Sequence, residues 1–490
     1  MVQQLIAFIL YFVVVVGIGI YFFIRTRGGG EKDYFLGGRN MNSWVTALSA
    51  QASDMSAWLL MGLPGSILAY GVGKVWIAVG LLIGTILNWI YIAPRLRQFS
   101  QEAGDSITIP EYLSNRFMSK SLVLRVISGL VFLVCFTVYA ASSFKACGTL
   151  FNTVFGMNST WAILLAAAII FAYTFMGGFA AVCWTDFIQG MLMLIALMIV
   201  PILALSALSN GQVTGTPDIV ANYWNFLPSG KFDWTSISTI LNGLAWGLGY
   251  FGMPHILVRF MSSKSNASIK KARTIAIIWV ILGLGAAVAV GLVGRNYLPD
   301  LSEADRSIVF IQMTQKLLPA FIAGIMLSGI LAASMSTADS QLLVSASAFA
   351  SDIYKPIFRK KASDSEMMWM SRLIVFVITV IAVFIALNPN SGGIMELVEN
   401  AWAGFGSAFG PVIILSLFWK RFNYKGAVAG IIVGALTDIL WLNFLSNTNL
   451  YELLPGFILG FIAAVVCTLV TEEPSKEIKQ LFVHASENLD

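Results

Sequence analysis

The amino-acid sequence predicts an all-α integral membrane protein with about thirteen transmembrane helices. Of the 490 residues, 58% are apolar and only 11% are charged, and the mean hydropathy is +0.80. Soluble domains carry roughly 25% charged residues, so this chain cannot cover itself with a polar surface. Its apolar runs are long rather than short and alternating, which favours spanning helices over a closed barrel.

Thirteen apolar stretches are predicted to span the bilayer, because a helix needs about 20 residues to cross the hydrocarbon core. The predicted spans are 5–24, 44–71, 75–94, 123–149, 160–180, 186–208, 236–258, 273–294, 319–349, 368–387, 394–419, 426–445 and 451–470. They form a single transmembrane domain over residues 1–470. A short cytoplasmic tail, residues 471–490, is predicted to follow.

The first apolar run is predicted to be a retained helix rather than a cleaved signal peptide. No basic residue precedes the run from Leu5 to Ile24, whereas Arg25, Arg27 and Lys32 follow it. A signal peptide has the reverse arrangement, and this run is long enough to span.

Lysine and arginine residues determine the predicted orientation. With thirteen spans, 24 of the 30 basic residues, among them Arg27 and Arg259, fall on the side that follows the first helix. Five fall on the opposite side, and Lys145 lies inside the fourth span. Because basic residues concentrate on the cytoplasmic side, the N-terminus is predicted outside and the C-terminus inside.

Two spans contain residues that interrupt helices. The second carries Gly62, Pro64 and Gly65 in its outer half, and the seventh carries four glycines and Pro254 within residues 242–255. Close helix packing is the alternative explanation for a glycine-rich span. Transporters bind solutes where helices are broken near the middle of the membrane, so both spans are candidates for a binding site.

The two interrupted spans are five helices apart. An odd repeat length inverts the second copy, so the topology is compatible with inverted repeats over about 42–208 and 236–419. This is the LeuT-type arrangement of five plus five helices, here with one additional helix before the core and two after it.

Polar residues in the second and ninth spans are candidates for an ion site. Asp54 lies near the middle of the second span, where a charge is costly. Ser336 and Thr337 lie at mid-membrane in the ninth span, and hydroxyls with free carbonyls suit a hard cation such as sodium. The alternatives are a carboxylate that ties helices together and hydroxyls that bond to their own helix. Proton coupling through Asp54 also stays open.

Several sequence strings resemble the sodium/solute symporter family and, within it, the bacterial sodium/proline branch. The resemblance extends from the first helix to about residue 470 and is carried by the strings at 36–39, 47–65, 246–255, 335–337 and 402–411. It implies the LeuT-type core and a sodium ion bound by backbone carbonyls of Ala52, Met55 and Ala333 and hydroxyls of Ser336 and Thr337. Asp54 is then expected to support that site.

The resemblance also implies positions for the solute and for a second cation. The implied solute-binding residues are Ser56, Tyr139, Trp246, Tyr250 and Pro254. A second cation is implied near Asp186, Asp339 and Ser340, and the alternative for Asp186 is a helix cap or a contact of the cytoplasmic gate. The chain departs from the branch at Ala57 and Met253 and carries Lys145 and Cys147 after Tyr139, which leaves the solute's identity open.

The function implied by the resemblance is uptake of L-proline coupled to inward sodium movement by alternating access in a bacterial cytoplasmic membrane. The alternatives are a sodium or proton symporter for pantothenate, a short carboxylate or a sugar, and a passive channel. Four separated cysteines and two histidines predict no metal or disulfide framework. No enzymatic site, nucleic-acid partner or obligatory protein partner is indicated, so the expected partners are the lipid bilayer, the solute and the co-transported sodium ion.

Overall fold

A computed structural model describes residues 1–25, 31–176, 178–211, 217 and 219–487. Among these residues the regular secondary structure is helical, apart from a single parallel β-bridge between Met41 and Ser263. Arg27, counted above among the cytoplasmic residues, lies outside the described residues.

The helices of the first half are α1 (Val2–Arg25), α2 (Glu31–Leu36), α3 (Ser43–Asp54), α4 (Gly62–Tyr70), α5 (Val75–Leu87), α6 (Ala93–Glu102), α7 (Ile109–Arg116), α8 (Val123–Phe155), α9 (Ser159–Met176) and α10 (Phe179–Ser209). Those of the second half are α11 (Trp234–Ala245), α12 (Pro254–Ser262), α13 (Asn266–Tyr297), α14 (Val309–Leu317), α15 (Ala320–Ala348), α16 (Asp364–Leu387), α17 (Ile394–Phe418), α18 (Tyr424–Phe444), α19 (Leu453–Val470) and α20 (Lys476–Glu487).

Ten helical segments in the described part of the chain are long and apolar enough to cross a membrane. They correspond to ten of the thirteen predicted spans. The other three are the second and seventh, which are divided into shorter helices, and the fifth, which forms the shorter apolar helix α9. The chain is therefore a multi-pass membrane protein, and the number thirteen stays a prediction.

The second span breaks after α3. Asn42 caps the start of α3 by accepting a 3.0 Å hydrogen bond from the backbone N–H of Val45. The helix ends at Met55, whose ψ of 76° leaves the helical region, and Ser56 is extended. A short turn then leads into α4, so the backbone at residues 54–56 is released from regular helical bonding.

The seventh span breaks before Pro254. A 3₁₀ turn over Trp246–Phe251 follows α11, and Met253 is extended with φ −79° and ψ 105° before α12 begins at Pro254. A proline ring disfavours the helical conformation in the residue before it and is well suited to the first turn of a new helix. The local sequence thus accounts for the position of this break.

Helices α15 and α17 form the interior of the bundle. In their most apolar windows 78% and 89% of the residues are buried, against 28% for α18 and α19. A helix surrounded by other helices can carry small and polar residues that lipid would not tolerate, because neighbours provide hydrogen-bond partners. This explains why the serine-rich segment of α15 lies at the centre.

The ends of the two broken helices are joined at the predicted cytoplasmic face. The backbone N–H of Met41 donates to the carbonyl of Ser262 at 3.2 Å, and the N–H of Lys264 donates to the carbonyl of Met41 at 3.1 Å. Arg39 donates to the carbonyl of Met261 at 2.6 Å. This bonding holds the beginning of α3 against the end of α12.

Candidate functional site

The broken end of α3 meets the middle of α15. Ser336 Oγ donates a hydrogen bond to the carbonyl oxygen of Ala52 at 2.7 Å, and Thr337 Oγ1 lies 3.4 Å from the same oxygen. Ser336 Oγ also lies 3.3 Å from the carbonyl oxygen of Ala333. All four residues are buried. Hydroxyl and carbonyl oxygens from separate helices therefore share one small region, and they are ligands that suit a hard cation.

Met55 and Asp54 lie at the same break. The buried Met55 is the residue at which the helical backbone ends. The carboxylate of Asp54 accepts a 2.6 Å hydrogen bond from the hydroxyl of Tyr250, and its Oδ1 has no hydrogen-bond partner among the described residues. Asp54 therefore links the two broken spans, and its side chain bonds to the seventh span rather than to α15.

The five predicted solute-binding residues are all buried around the two breaks. Ser56 directly follows the first break, and Pro254 begins the helix after the second. Tyr139 approaches from α8, with its hydroxyl 3.4 Å from the carbonyl oxygen of Asp54. Trp246 and Tyr250 belong to the turn after α11.

Trp402 on α17 completes the aromatic group, although the sequence analysis assigned it no role. Its indole Nε1 donates to the carbonyl oxygen of Trp246 at 2.8 Å, and its ring meets the ring of Tyr250 edge-on with centroids 5.1 Å apart. The sequence did mark this residue, because in the string at 402–411 a tryptophan accompanies three glycines in an otherwise apolar span.

A second buried polar group surrounds Arg259. Its guanidinium lies 3.2 Å from the carboxylate of Asp186 and 3.1 Å from the hydroxyl of Ser49, and it also donates to Ser340 Oγ. Ser340 Oγ in turn lies 3.3 Å from Asp339 Oδ1. The residues suggested for a second cation are thus brought together, but around a guanidinium of the chain itself.

Arg259, counted in the sequence analysis with the basic residues of the cytoplasmic side, is buried, with only 1% of its surface exposed. The physical reason is pairing: a buried carboxylate such as that of Asp186 is stabilised by a nearby positive charge. The sequence signal was indirect, because the acids Asp186 and Asp339 lie in two other predicted spans.

Lys145, one of the departures from the family pattern, lies at the predicted outer end of α8. Its ammonium group donates to Ser391 Oγ at 3.0 Å and to the carbonyl oxygen of Gly392. These bonds join α8 to the loop before α17. Ala57 and Met253, the other departures, are buried beside the breaks.

A family model described as the sodium:solute symporter family matches residues 34–434. The chain belongs to the sodium:solute symporter family.

Relatives within this family resemble the chain over nearly its whole length. An osmoregulated proline transporter of Bacillus subtilis (strain 168) is 44% identical and covers 96% of each chain. The high-affinity proline transporter of the same organism is also 44% identical, over 94% of this chain and 98% of its own. A sodium/proline symporter of Escherichia coli (strain K12) is 43% identical, over 98% of this chain and 96% of its own.

Solved structures of transporters share the fold of the present chain. The substrate-bound, outward-open structure of a Na⁺-coupled sialic acid symporter aligns with a TM-score of 0.78 at 20% identity, covering 97% of this chain and 99% of the other. MhsT in complex with L-phenylalanine aligns with a TM-score of 0.56 at 14% identity, covering 87% and 97%. Such neighbours are LeuT-fold transporters, and the present chain has that fold.

Proposed function

We propose that this chain takes up L-proline by coupling its movement to an inward sodium flux. The observation that carries the proposal is the contact of the Ser336 and Thr337 hydroxyls with the carbonyl oxygen of Ala52 at the break in α3. The names of relatives at 43–44% identity, which are proline transporters or sodium/proline symporters, support the same solute and ion.

In the proposed ion site, sodium is bound by the carbonyls of Ala52, Met55 and Ala333 and the hydroxyls of Ser336 and Thr337. A hydroxyl has two lone pairs, so Ser336 and Thr337 can turn their protons aside and offer oxygen to a cation. The ion then replaces the direct hydrogen bond between α15 and the Ala52 carbonyl. Asp54 supports the site by fixing the break to Tyr250.

The proposed solute site lies among Ser56, Tyr139, Trp246, Tyr250 and Pro254. Its aromatic rings match the apolar pyrrolidine ring of proline, and Ser56 with the free backbone N–H groups at the breaks can bind a carboxylate. Asp54 Oδ1, which lacks a partner among the described residues, can accept from a secondary ammonium group. A zwitterion therefore finds a partner for each of its charges.

Coupling follows from the position of both sites on one break. The carbonyl of Ala52 belongs to the ion site, and Ser56, four residues later, belongs to the solute site. An ion that fixes this backbone favours solute binding, and the solute favours the ion by the same factor. One charge crossing 100 mV supplies about 2.3 kcal/mol, and a tenfold sodium gradient adds roughly 1.4 kcal/mol.

The proposed architecture has thirteen spans, with inverted repeats over about 42–208 and 236–419, in a bacterial cytoplasmic membrane. The concentration of lysine and arginine residues on one side of the predicted spans supports an external N-terminus and a cytoplasmic C-terminus. A second cation near Asp186, Asp339 and Ser340 belongs to the same proposal. Arg259 supplies one positive charge to two carboxylates, so a cation or a shared proton would balance the group.

Uptake by purified protein in proteoliposomes tests the proposed function. With an inward sodium gradient and an inside-negative potential, labelled L-proline should accumulate more than tenfold. Replacing sodium by potassium, or imposing only a proton gradient, should abolish accumulation. Excess unlabelled pantothenate, acetate or glucose should not compete. Accumulation driven by protons alone, or equilibration without accumulation, would contradict sodium symport.

A further inference from the structure

The first helix, α1, precedes the proposed inverted repeats, yet it packs directly against α15. A Cβ atom placed on Gly324 of α15 would come within 2.7 Å of the Cβ atom of Ala7 and within 2.9 Å of the Cα atom of Gln4. Helices packed this closely cannot slide past each other without a clash, because protein interiors are close-packed and hardly compressible. The contact therefore fixes the register between α1 and α15.

This register brings Tyr11 beside the residue that precedes Ser336. Tyr11 lies about one helical turn beyond Ala7 on α1, and Met335 lies about three turns beyond Gly324 on α15, so both stay on the faces that meet. The hydroxyl of Tyr11 donates to the sulfur atom of Met335 at 3.7 Å. Both side chains are buried. The helix that carries the Ser336 hydroxyl is thus bonded to α1 at the level of the proposed ion site.

The same hydroxyl also accepts a hydrogen bond from α10. Gln189 Nε2 donates to the oxygen of Tyr11 at 2.8 Å, and Gln189 is fully buried. The next residue, Gly190, lies against α3, because a Cβ atom placed on it would be 3.3 Å from the Cβ atom of Ala52. Ala52 supplies a carbonyl oxygen to the proposed ion site. Helix α10 therefore supports this residue from behind.

Tyr11 links the two sides of the proposed ion site. Through Met335 it contacts the helix that carries Ser336, and through Gln189 it contacts the helix that supports Ala52. A tyrosine hydroxyl can donate its proton and accept another, so one oxygen makes both bonds. Residues behind the ligands of an ion orient those ligands and tune the affinity of the site. The hydroxyl of Tyr11 is in such a place.

We propose that Tyr11 is a positioning residue for sodium binding, whose hydroxyl holds α15 and α10 where the oxygen atoms of Ser336 and Ala52 can bind the ion together. The additional helix α1 is then part of the ion-coupling machinery. The inference rests on the proposed function, because it takes the cation at this break to be sodium. A tyrosine that only filled space between helices would need its ring, whereas this role needs its hydroxyl.

Sodium-dependent binding of labelled L-proline to the full-length protein in lipid nanodiscs tests this role. Tyr11→Phe keeps the ring, and it should raise the sodium concentration for half-maximal proline binding about threefold to tenfold, as expected for one lost neutral hydrogen bond. Proline affinity at saturating sodium should change less than about twofold, because the coupling between ion and solute is kept. Tyr21→Phe, which removes an exposed hydroxyl of the same helix, is the matched control and should behave as wild type.

Met335→Leu provides a second variant, since it removes the sulfur acceptor and nearly conserves the volume of the side chain. It should raise the same sodium concentration about twofold to threefold. The double variant Tyr11→Phe/Met335→Leu should shift it no further than Tyr11→Phe alone, as for residues that share one contact. Should Tyr11→Phe not fold, Met335→Leu decides by the same measurement.

The results separate the role of Tyr11 from the proposed function. A wild type that accumulates proline, together with an unchanged sodium requirement in Tyr11→Phe, overturns the inference alone. A loss of proline affinity that persists at saturating sodium also overturns it, because the hydroxyl would then serve the fold or the solute and not the ion. A wild type without sodium-driven proline accumulation overturns the proposed function itself.

Discussion

Ser336 and Thr337 each carry a single hydroxyl into a region where all neighbours are buried. Ser336 Oγ lies within hydrogen-bond distance of two carbonyl oxygens, on Ala52 and Ala333, yet it has only one proton to donate. Such crowding of acceptors is relieved when a cation is bound by the same oxygens. The proposed sodium ion would account for this crowding of carbonyl oxygens around one hydroxyl.

We expect Ser336→Ala and Thr337→Ala each to raise the sodium concentration for half-maximal proline uptake by about tenfold to a hundredfold, since a lost bond to a charged partner is worth about 1.5–3 kcal/mol. Uptake in proteoliposomes at graded sodium concentrations measures this. Ser328→Ala, which removes another buried hydroxyl of α15, one that donates to the carbonyl of Gly324 in its own helix, is the control. Sodium activation that is unchanged in both variants would sink the assignment.

The pair formed by Arg259 and Asp186 makes a different prediction, about stability. Both side chains are buried and their charged atoms lie 3.2 Å apart. Removing one partner leaves the other charge uncompensated, and we expect Arg259→Gln or Asp186→Asn to cost about 3–5 kcal/mol. Thermal unfolding of the protein in detergent should show a lower Tm for each variant.

The double variant Arg259→Gln/Asp186→Asn tests whether the two groups act together. Its cost should fall short of the sum of the single costs by more than about 1 kcal/mol, as for other contacting residues. Arg359→Gln, at an exposed arginine that pairs with Glu366, should change the Tm little. Additive losses in the double variant would show that Arg259 and Asp186 do not stabilise each other.

Among the elements, α5 lies unusually close to the broken seventh span. A Cβ atom placed on Gly84 would come within 2.3 Å of the carbonyl oxygen of Gly247, and one on Gly80 within 2.2 Å of that of Gly243. Backbone atoms cannot move aside as a flexible side chain can. The glycines of the seventh span thus serve close helix packing as well as the break.

Gly84→Ala should therefore push α5 away from the turn that carries Trp246 and Tyr250. Overpacking of this kind costs about 1–3 kcal/mol, and we expect a lower Tm together with weaker proline binding. Gly285→Ala in α13, where a Cβ meets nothing within 4 Å, should leave both unchanged or raise the Tm. Equal values for the two variants would show that the close approach is not needed.

The sequence was enough to predict the elements wherever local chemistry decides them. The break before Pro254 follows from the proline, and the aromatic group is carried by recognisable strings. The break in the second span lies at residues 54–56, whereas Gly62, Pro64 and Gly65, which were expected to interrupt this span, begin α4.

The sequence was not enough where partners come from distant parts of the chain. The burial of Arg259, for example, depends on Asp186 in another helix. Some helices are also longer than predicted. The third predicted span, 75–94, continues through α6 to Glu102.

On the scale of the whole molecule, the roles of the predicted sodium and solute residues remain predictions, although the fold brings those residues together. Ser336 and Ala52 share a hydrogen bond, and the affinity for sodium depends on the difference in free energy between the bound and the hydrated ion. In the C-terminal tail, α20 packs against α6, a partner from a distant part of the chain.

Helix α20 packs its Phe482 against α6, with the rings of Phe482 and Phe99 5.3 Å apart and edge-on. The guanidinium of the fully buried Arg116 lies 5.1 Å from the Phe482 ring and donates to the carbonyl of Ser416 at 3.1 Å. The tail therefore covers an arginine that links α7 to α17.

We expect Phe482→Ala to lower the stability by about 2 kcal/mol, roughly half of what a fully buried phenylalanine contributes, because its ring is half-buried. Thermal unfolding measures the loss, and Phe444→Ala, at a phenylalanine that is 75% exposed, is the matched control. Sodium-dependent proline binding by Phe482→Ala at low temperature should equal that of the wild type, since α20 contacts neither broken helix at the proposed sites. Loss of binding at an unchanged Tm would mean instead that α20 acts on transport directly, and not through its cover over Arg116.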